Sequence, residues 1–180
     1  GNRDGFSAKR VWTIPFASGY ESTAADLNGD GFTDFVAINS GHAGEIALKS
    51  PHLGVNIFWG GRDGFDLEKR RTVLREYNLG TSNVADLDRD GYLDLVLGQF
   101  GPGRGVKDAA LIIHYGGPKG FSPERRVAIR SPGRSISTVV ADLDNDGWLD
   151  IAVNSYDRDV VRVFRGGPDG FSEQRQVQLT

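Results

Sequence analysis

Residues Ala85–Gln99 read ADLDRDGYLDLVLGQ: four aspartates at fixed intervals, a glycine, an aromatic residue, then an apolar run. The string recurs without gaps as ADLNGDGFTDFVAIN at Ala25–Asn39 and ADLDNDGWLDIAVNS at Ala141–Ser155. A second motif alternates with it: GNRDGF at Gly1–Phe6, GGRDGF at Gly60–Phe65, GGPKGF at Gly116–Phe121 and GGPDGF at Gly166–Phe171. From Phe6, Phe65 and Phe121 to the first aspartate of the next cluster is 20, 21 and 21 residues. From that aspartate to the next glycine motif is 34, 30 and 24 residues. The chain is therefore a tandem repeat, with one stretch of fixed length and one that takes insertions.

Each unit reads as strands between turns. Short extended runs at Ser22–Ala25, Ser82–Ala85 and Ser137–Ala141 lead into the acidic stretch, and apolar β-type runs at Phe35–Ile38, Leu93–Leu97 and Leu149–Val153 leave it. Val55–Trp59, Ala110–Tyr115 and Val160–Arg165 then run to the glycine turn, and Glu68–Leu74, Glu124–Ile129 and Gln174–Leu179 follow it. No segment sustains a 3.6-residue period. The expected fold is all-β: propeller blades of four antiparallel strands, each burying its faces against its neighbours. The units fall at 16–75, 76–130 and 131–180, with 1–15 supplying the glycine turn and outer strand of a preceding blade. Three blades are fewer than the 4–8 of closed rings. The chain is thus expected to be part of a longer protein, a reading the lack of any methionine supports, with association of copies into a homo-oligomer as the alternative.

Composition narrows the chemistry. The 25 glycines in 180 residues are about twice average usage and follow the turns. Without cysteine there are no disulfides, zinc-thiolate sites or thiol catalysis. No apolar run approaches a membrane span, and the first ten residues are no signal peptide. The net charge of −3 hides a division: eleven of the 24 acidic residues lie in the three clusters, so the remainder carries 21 basic against 13 acidic groups. Outer-strand charges (Lys69, Arg70, Arg71, Arg125, Arg126, Arg175) are expected to discourage edge pairing. Lacking an aromatic platform, they do not suggest nucleic acid as a partner.

Concentrated carboxylates need a local cause. Asp26, Asn28, Asp30 and Asp34 occupy loop positions 1, 3, 5 and 9, as do Asp86, Asp88, Asp90 and Asp94, and Asp142, Asp144, Asp146 and Asp150. Alternate oxygen ligands on a tight loop converge on one hard cation, and a glycine after position 5 (Gly31, Gly91, Gly147) permits the sharp turn. Position 7 (Phe32, Tyr92, Trp148) can offer only its backbone carbonyl. An all-oxygen set favours Ca²⁺ over transition metals. Plain Asx-rich turns would need one or two such residues, not four at repeated offsets. Three calcium sites are expected, the first weakest because Asn28 removes a charge. Their filling would bring the net charge from −3 to about +3 and would serve a structural role.

These motifs, with FWGG, HYGGP and FRGGP, resemble the FG-GAP/VCBS repeats of integrin-α-like β-propellers over nearly the whole chain. The resemblance implies calcium loops between the first and second strands of each blade. It also implies an extracellular, cell-surface or periplasmic setting. It does not imply one activity, since such propellers occur in adhesion receptors, lectins and polysaccharide lyases.

The remaining candidates are weaker. The insertion at Ser40–Gly54 carries His42, Glu45 and His52 at spacings matching no ligand pattern, and that at Phe100–Asp108 carries Arg104 and Lys107. His114 falls in a strand and reads as packed, and Trp59, Tyr115 and Arg165 hold one equivalent position, read as interblade packing or as a sugar-stacking ring. The glycine pairs open no helix and so fail the dinucleotide test. No acid/base pair stands apart from the metal loops, so no catalytic residue is assigned. The expected function is a non-catalytic, calcium-stabilised module binding a protein or a glycan, without membrane insertion. A part of a carbohydrate-active enzyme, such as a lyase, with catalytic groups elsewhere is the alternative.

Overall fold

The computed structural model describes Ala8, Val11, Thr13, Ile14, Phe16 and residues 19–39, 54–101 and 109–179. Most of the leading segment 1–15, His42, Glu45 and His52 in the first insertion, and Arg104 and Lys107 in the second lie outside these residues. Among the described residues there is no helix, and twelve strands form three four-stranded antiparallel sheets. The first sheet runs β1 (Gly19–Ala25), β2 (Asp34–Asn39), β3 (Val55–Phe58) and β4 (Arg71–Leu74). The second runs β5 (Leu79–Ala85), β6 (Asp94–Gln99), β7 (Ala110–His114) and β8 (Arg126–Arg130). The third runs β9 (Ser135–Ala141), β10 (Asp150–Ser155), β11 (Val161–Phe164) and β12 (Gln176–Leu179). Strands pair in chain order within each sheet, as propeller blades do, and the sheets do not close into a ring.

Alternation of side chains explains the stacking. In the middle sheet, Leu95 and Leu97 point to one face and Val96 to the other, yet all three are fully buried. The first face packs with Val36, Ile38, Val55 and Ile57 of the first sheet. The second face, through Val96, Leu111, Ile113 and Ile129, meets Ile151, Val153 and Phe164 of the third. A strand covered on both faces must read as a continuous apolar run, as Leu95–Leu97 and Leu111–Ile113 do. The third sheet buries only one face, so VRVF alternates. The row Val139–Ala152–Val163–Val177 on its other face includes Val139 at 52% exposure and Val177 at 38%.

The innermost strands β1, β5 and β9 lie side by side. The Thr81 and Thr138 hydroxyls are 3.1 Å apart, and Asn83 Nδ2 donates to Thr138 O at 2.9 Å and to its Oγ1 at 2.7 Å. Ser82 N–H donates to the Glu21 carboxylate, tying the second sheet to the first. All three inner strands carry a register shift near the start, which leaves Tyr20, Gly80 and Ile136 as the extra residue. At Gly80 the bulge brings β5 so close to the Ser135 carbonyl that no side chain fits.

A buried ionic group joins the first two sheets. Glu76, in the connector after β4, accepts from His114 Nε2 at 2.9 Å and from Arg126 Nε and Nη2 at 2.5 and 3.1 Å. His114 is thus packed, as the strand pattern suggests. Arg126, expected to be an edge charge, is instead a partner of this carboxylate. Burial alone would raise the Glu76 pKa, but the bonds from His114 and Arg126 and their charge overcome it and hold it at about 2, against 4.5. Glu76→Gln leaves the buried His114 ring and the partly exposed Arg126 guanidinium without their counter-charge and, from the depressed pKa of Glu76, is expected to cost about 3 kcal/mol in chemical denaturation at pH 7. Because the folded pKa is depressed, that difference is present above pH 4.5 and shrinks as pH falls towards about 2. A difference that stays constant from pH 7 to pH 3 would contradict the assignment.

Candidate metal centre

The loops between β1 and β2, β5 and β6, and β9 and β10 contain the repeated aspartates. Their backbone is shaped by the acidic side chains themselves. In the second loop Asp90 N–H donates to Asp86 Oδ1 at 3.1 Å, Gly91 N–H to Asp86 Oδ2 at 3.1 Å, and Tyr92 N–H to Asp90 Oδ1 at 2.9 Å. The first loop repeats this with Asp30, Gly31 and Phe32 on Asp26 and Asp30, at 3.1, 2.8 and 2.9 Å. The third does so through Gly147 N–H on Asp142 at 3.0 Å and Trp148 N–H on Asp146 at 2.8 Å. Such Asx turns wind the chain tightly, and Gly31, Gly91 and Gly147 take φ of 86°, 88° and 89°, where a side chain is strained.

Carboxylate oxygens of Asp86, Asp88 and Asp90 lie within 4.8 Å of one another, as do those of Asp142, Asp144 and Asp146. This convergence of hard oxygen donors fits a calcium ion. The first loop places Asp26 and Asp30 in the same turn, with Asn28 between them, its Nδ2 donating to Asp30 Oδ2 at 3.1 Å. Position 7 carries its aromatic ring outward: Phe32 is 41% exposed. Trp148 instead receives the Arg89 guanidinium 4.0 Å above its ring, a cation–π contact joining the second loop to the third.

Position 9 plays a part that spacing alone does not reveal. Asp34, Asp94 and Asp150 are at most 1% exposed. One oxygen of each accepts the N–H at loop position 2 (Leu27, Leu87, Leu143) at 2.8, 2.7 and 3.1 Å. The other accepts the N–H of the first turn glycine (Gly60, Gly116, Gly166) at 2.8, 2.9 and 2.9 Å. A single carboxylate therefore clamps the acidic loop to the turn between the third and fourth strands. Burial raises the Asp94 pKa to about 6 despite bonds from Gly116 and Leu87, and the Asp88 and Asp90 charges add to the rise. Asp34 is raised for the same leading reason.

Arginines complete the surroundings. Arg125 Nη2 lies 3.2 Å from Asp88 and 2.8 Å from Asp90, and Arg165 Nη1 lies 2.5 Å from Asp144. Burial would raise the Asp90 pKa, but the Arg125 bond, the Tyr92 N–H and the Arg125 charge bring it below the usual value. Arg70 instead caps Gly60 O and Gly64 O at 2.8 and 2.6 Å, and Arg175 bonds Gly166 O and Gly170 O. Arg70, Arg125 and Arg175 are therefore turn and loop partners rather than edge charges. Trp59 and Tyr115 serve packing: Trp59 Nε1 donates to Thr72 Oγ1 at 2.9 Å, and its ring abuts Gly120 of the next sheet, as the Tyr115 hydroxyl abuts Gly170. Neither the position-9 clamp nor the Glu76 connector was foreseen from the sequence. The fixed pairing of a ninth-position aspartate with a downstream Gly-Gly was the available signal for the first.

The clamp predicts a contrast between adjacent glycines. A methyl on Gly116 would overlap the Leu93 carbonyl oxygen, part of the backbone, whereas one on Gly117 meets the tip of the Arg125 side chain. Gly116→Ala is expected to lose about 3 kcal/mol of stability and Gly117→Ala under about 1 kcal/mol. Equal losses in denaturant titrations would contradict the clamp.

Residues 26–97, spanning the first two acidic loops, match the model of the FG-GAP-like repeat family. The chain is 26% identical over 171 residues to integrin alpha-4 of Xenopus laevis, covering 81% of this chain and 15% of that protein. It is 28% identical over 167 residues to integrin alpha-PS5 of Drosophila melanogaster, covering 83% and 16%. With integrin alpha-6 of Gallus gallus the identity is 29% over 163 residues, covering 83% and 14%. The chain thus spans about one-seventh of the length of these relatives. Within its own length, the repeated loops, the four-stranded sheets and these matches agree: residues 26–97 carry an FG-GAP-like repeat, and the chain is similar to integrin alpha chains over most of its length.

Proposed function

We propose that the chain is a non-catalytic, calcium-stabilised interaction module that works outside the cell and binds a protein ligand. The observation that carries this reading is the convergence of the oxygens of Asp86, Asp88 and Asp90, and of Asp142, Asp144 and Asp146. Asp26, Asn28 and Asp30 hold the third ion. The backbone carbonyls of Phe32, Tyr92 and Trp148 and the ninth-position carboxylates complete the ligand sets, since an oxygen that accepts one N–H retains a further lone pair. The metal's contribution is neutralisation of clustered charge, which fixes the loop between first and second strands.

Similarity to integrin alpha chains supports a protein ligand and a cell-surface setting. Among the described residues no helix is long and apolar enough to cross a membrane. A glycan ligand remains part of the reading only through the exposed aromatic residues, such as Tyr156 at 69%. The exposed apolar row on the third sheet supports packing of a further sheet there, from a second copy or from more of the parent protein. A particle mass of 19.6 kDa in sedimentation equilibrium would exclude the second copy.

Calcium at 100 times a site's dissociation constant contributes about 2.7 kcal/mol. For a domain of this size that corresponds to about 5–10 °C in melting temperature for each saturated site. Thermal unfolding in calcium is therefore expected to lie well above that in excess EGTA, with magnesium a poor substitute. Superimposable curves in calcium and EGTA would refute the calcium role.

A further inference from the structure

At the end of the sheets opposite the acidic loops, the connector 131–134 meets the turn between β10 and β11. Arg134 N–H donates to Asp157 Oδ1 at 2.8 Å, and Tyr156 N–H to Arg134 O at 2.8 Å, so the two segments are fastened together. Arg162 on β11 rises into this junction. Its place in the sheet is one that Ile112 fills in the second sheet and Asn56 in the first, both fully buried. Arg162 itself is only 7% exposed. A buried guanidinium in a core row needs a counter-charge.

None is supplied by the described residues. The Arg162 side chain makes one hydrogen bond, from Nη1 to Pro132 O at 2.7 Å, and pairs with no carboxylate among them. Burial first, then the charges of Arg158 and Arg130, push its pKa below the usual guanidinium range. Beside Pro132, Gly133 takes φ of 112°, and the Ser155 hydroxyl and the Arg158 stem press against it. They lie 2.8 and 3.0 Å from where a β-carbon would stand. The Ser155 hydroxyl and that of Ser131, in the same connector, are buried without a hydrogen-bond partner. The acidic groups at hand accept backbone N–H groups, Asp157 that of Arg134 and Glu173 Oε1 that of Arg130 at 3.3 Å; the charges of Arg158 and Arg134 act on Asp157, and neither carboxylate is bonded to the Arg162 guanidinium.

We propose that Arg162, Arg158 and the Ser155 hydroxyl, gathered around the Pro132–Gly133 turn, form a subsite for a small oxyanion, a carboxylate or a sulfate group. The Nε–Nη2 edge of Arg162 presents two parallel N–H donors, spaced to meet two oxygens of such a group. Arg158 and Arg130 add positive potential in a partly dewatered site, where charge acts strongly. The Ser155 O–H supplies a neutral donor. Phosphate-backbone binding to a nucleic acid would need a basic track longer than the arginines of this junction form, and its rings, Tyr156 and Phe100, lie against each other at 6.4 Å rather than along such a track. The subsite deepens the interaction-module reading by fixing the charge of what the connector face takes, and it does not depend on the metal loops.

The test is ¹⁵N-resolved NMR of the calcium-loaded chain, titrated separately with sodium sulfate and sodium acetate at constant ionic strength. Saturable shifts of the Arg162 Nε–Hε and Gly133 amide signals with either anion are expected, and the anion that binds more tightly identifies the group. Arg158→Gln, a change at an exposed side chain, should weaken that binding about tenfold. Arg162→Ile, the residue type of the second sheet, should abolish it. Absence of saturable shifts with both anions, or unchanged affinity in Arg158→Gln, would overturn the subsite. Calcium-dependent melting would be unaffected by that result, so the two readings fail separately.

Discussion

A carboxylate buried at the ninth place of each acidic loop holds the repeat together. Asp34, Asp94 and Asp150 each bond one backbone N–H of their own loop and one of the glycine turn between the third and fourth strands. Hydrogen bonds to a charged acceptor contribute about 1.5–3 kcal/mol each, enough to offset much of the cost of taking that charge out of water. The geometry follows from this bond. The first turn glycine must come close enough to donate, which leaves no room for a β-carbon against the carbonyl of Thr33, Leu93 or Leu149. The paired glycines and the acidic loop are therefore two halves of one device.

With the loops fixed, the sheets can stack. Side chains alternate on β2, β6 and β10, so the middle sheet packs one apolar face on the first sheet and the other on the third. The inner strands approach closely where glycine or hydroxyl residues line them, as at Gly80, Thr81 and Thr138. The units then differ in how they balance charge. The second loop borrows Arg125 from the turn and the third borrows Arg165, while the first has Asn28 in place of a carboxylate. At the opposite end, Glu76 anchors one junction between sheets with His114 and Arg126, and at the next junction Arg162 has no acidic partner among the described residues.

Most of this architecture is legible in the sequence, because gapless repetition constrains every unit at once. All twelve strands fall where the runs suggest, with differences of one to three residues at the ends. The bulges near Tyr20, Gly80 and Ile136 lengthen the inner strands beyond the apolar alternation, since an extra residue breaks the two-residue period on which the reading depends. The positions of Asp86, Asp88 and Asp90 in one turn follow from their spacing. Burial of Asp94 does not, because it depends on a glycine 22 residues away. The outer-strand arginines mislead for a related reason: Arg125 and Arg126 are neighbours in the chain but turn to different partners, an acidic loop and a connector carboxylate. Of the two readings open for Trp59 and Tyr115, packing is the one their contacts favour: the Trp59 ring lies against Gly120 and the Tyr115 hydroxyl against Gly170 of the next sheet.

The central claim is that each acidic loop, set by its ninth-position clamp, holds one calcium ion. Native mass spectrometry of the chain, exchanged from calcium-containing buffer into volatile electrolyte, counts these ions directly. The account predicts three bound calcium ions per chain of 19.6 kDa, with the first loop losing its ion at the lowest chelator concentration. A mass showing no calcium under conditions where the chain is folded would contradict it.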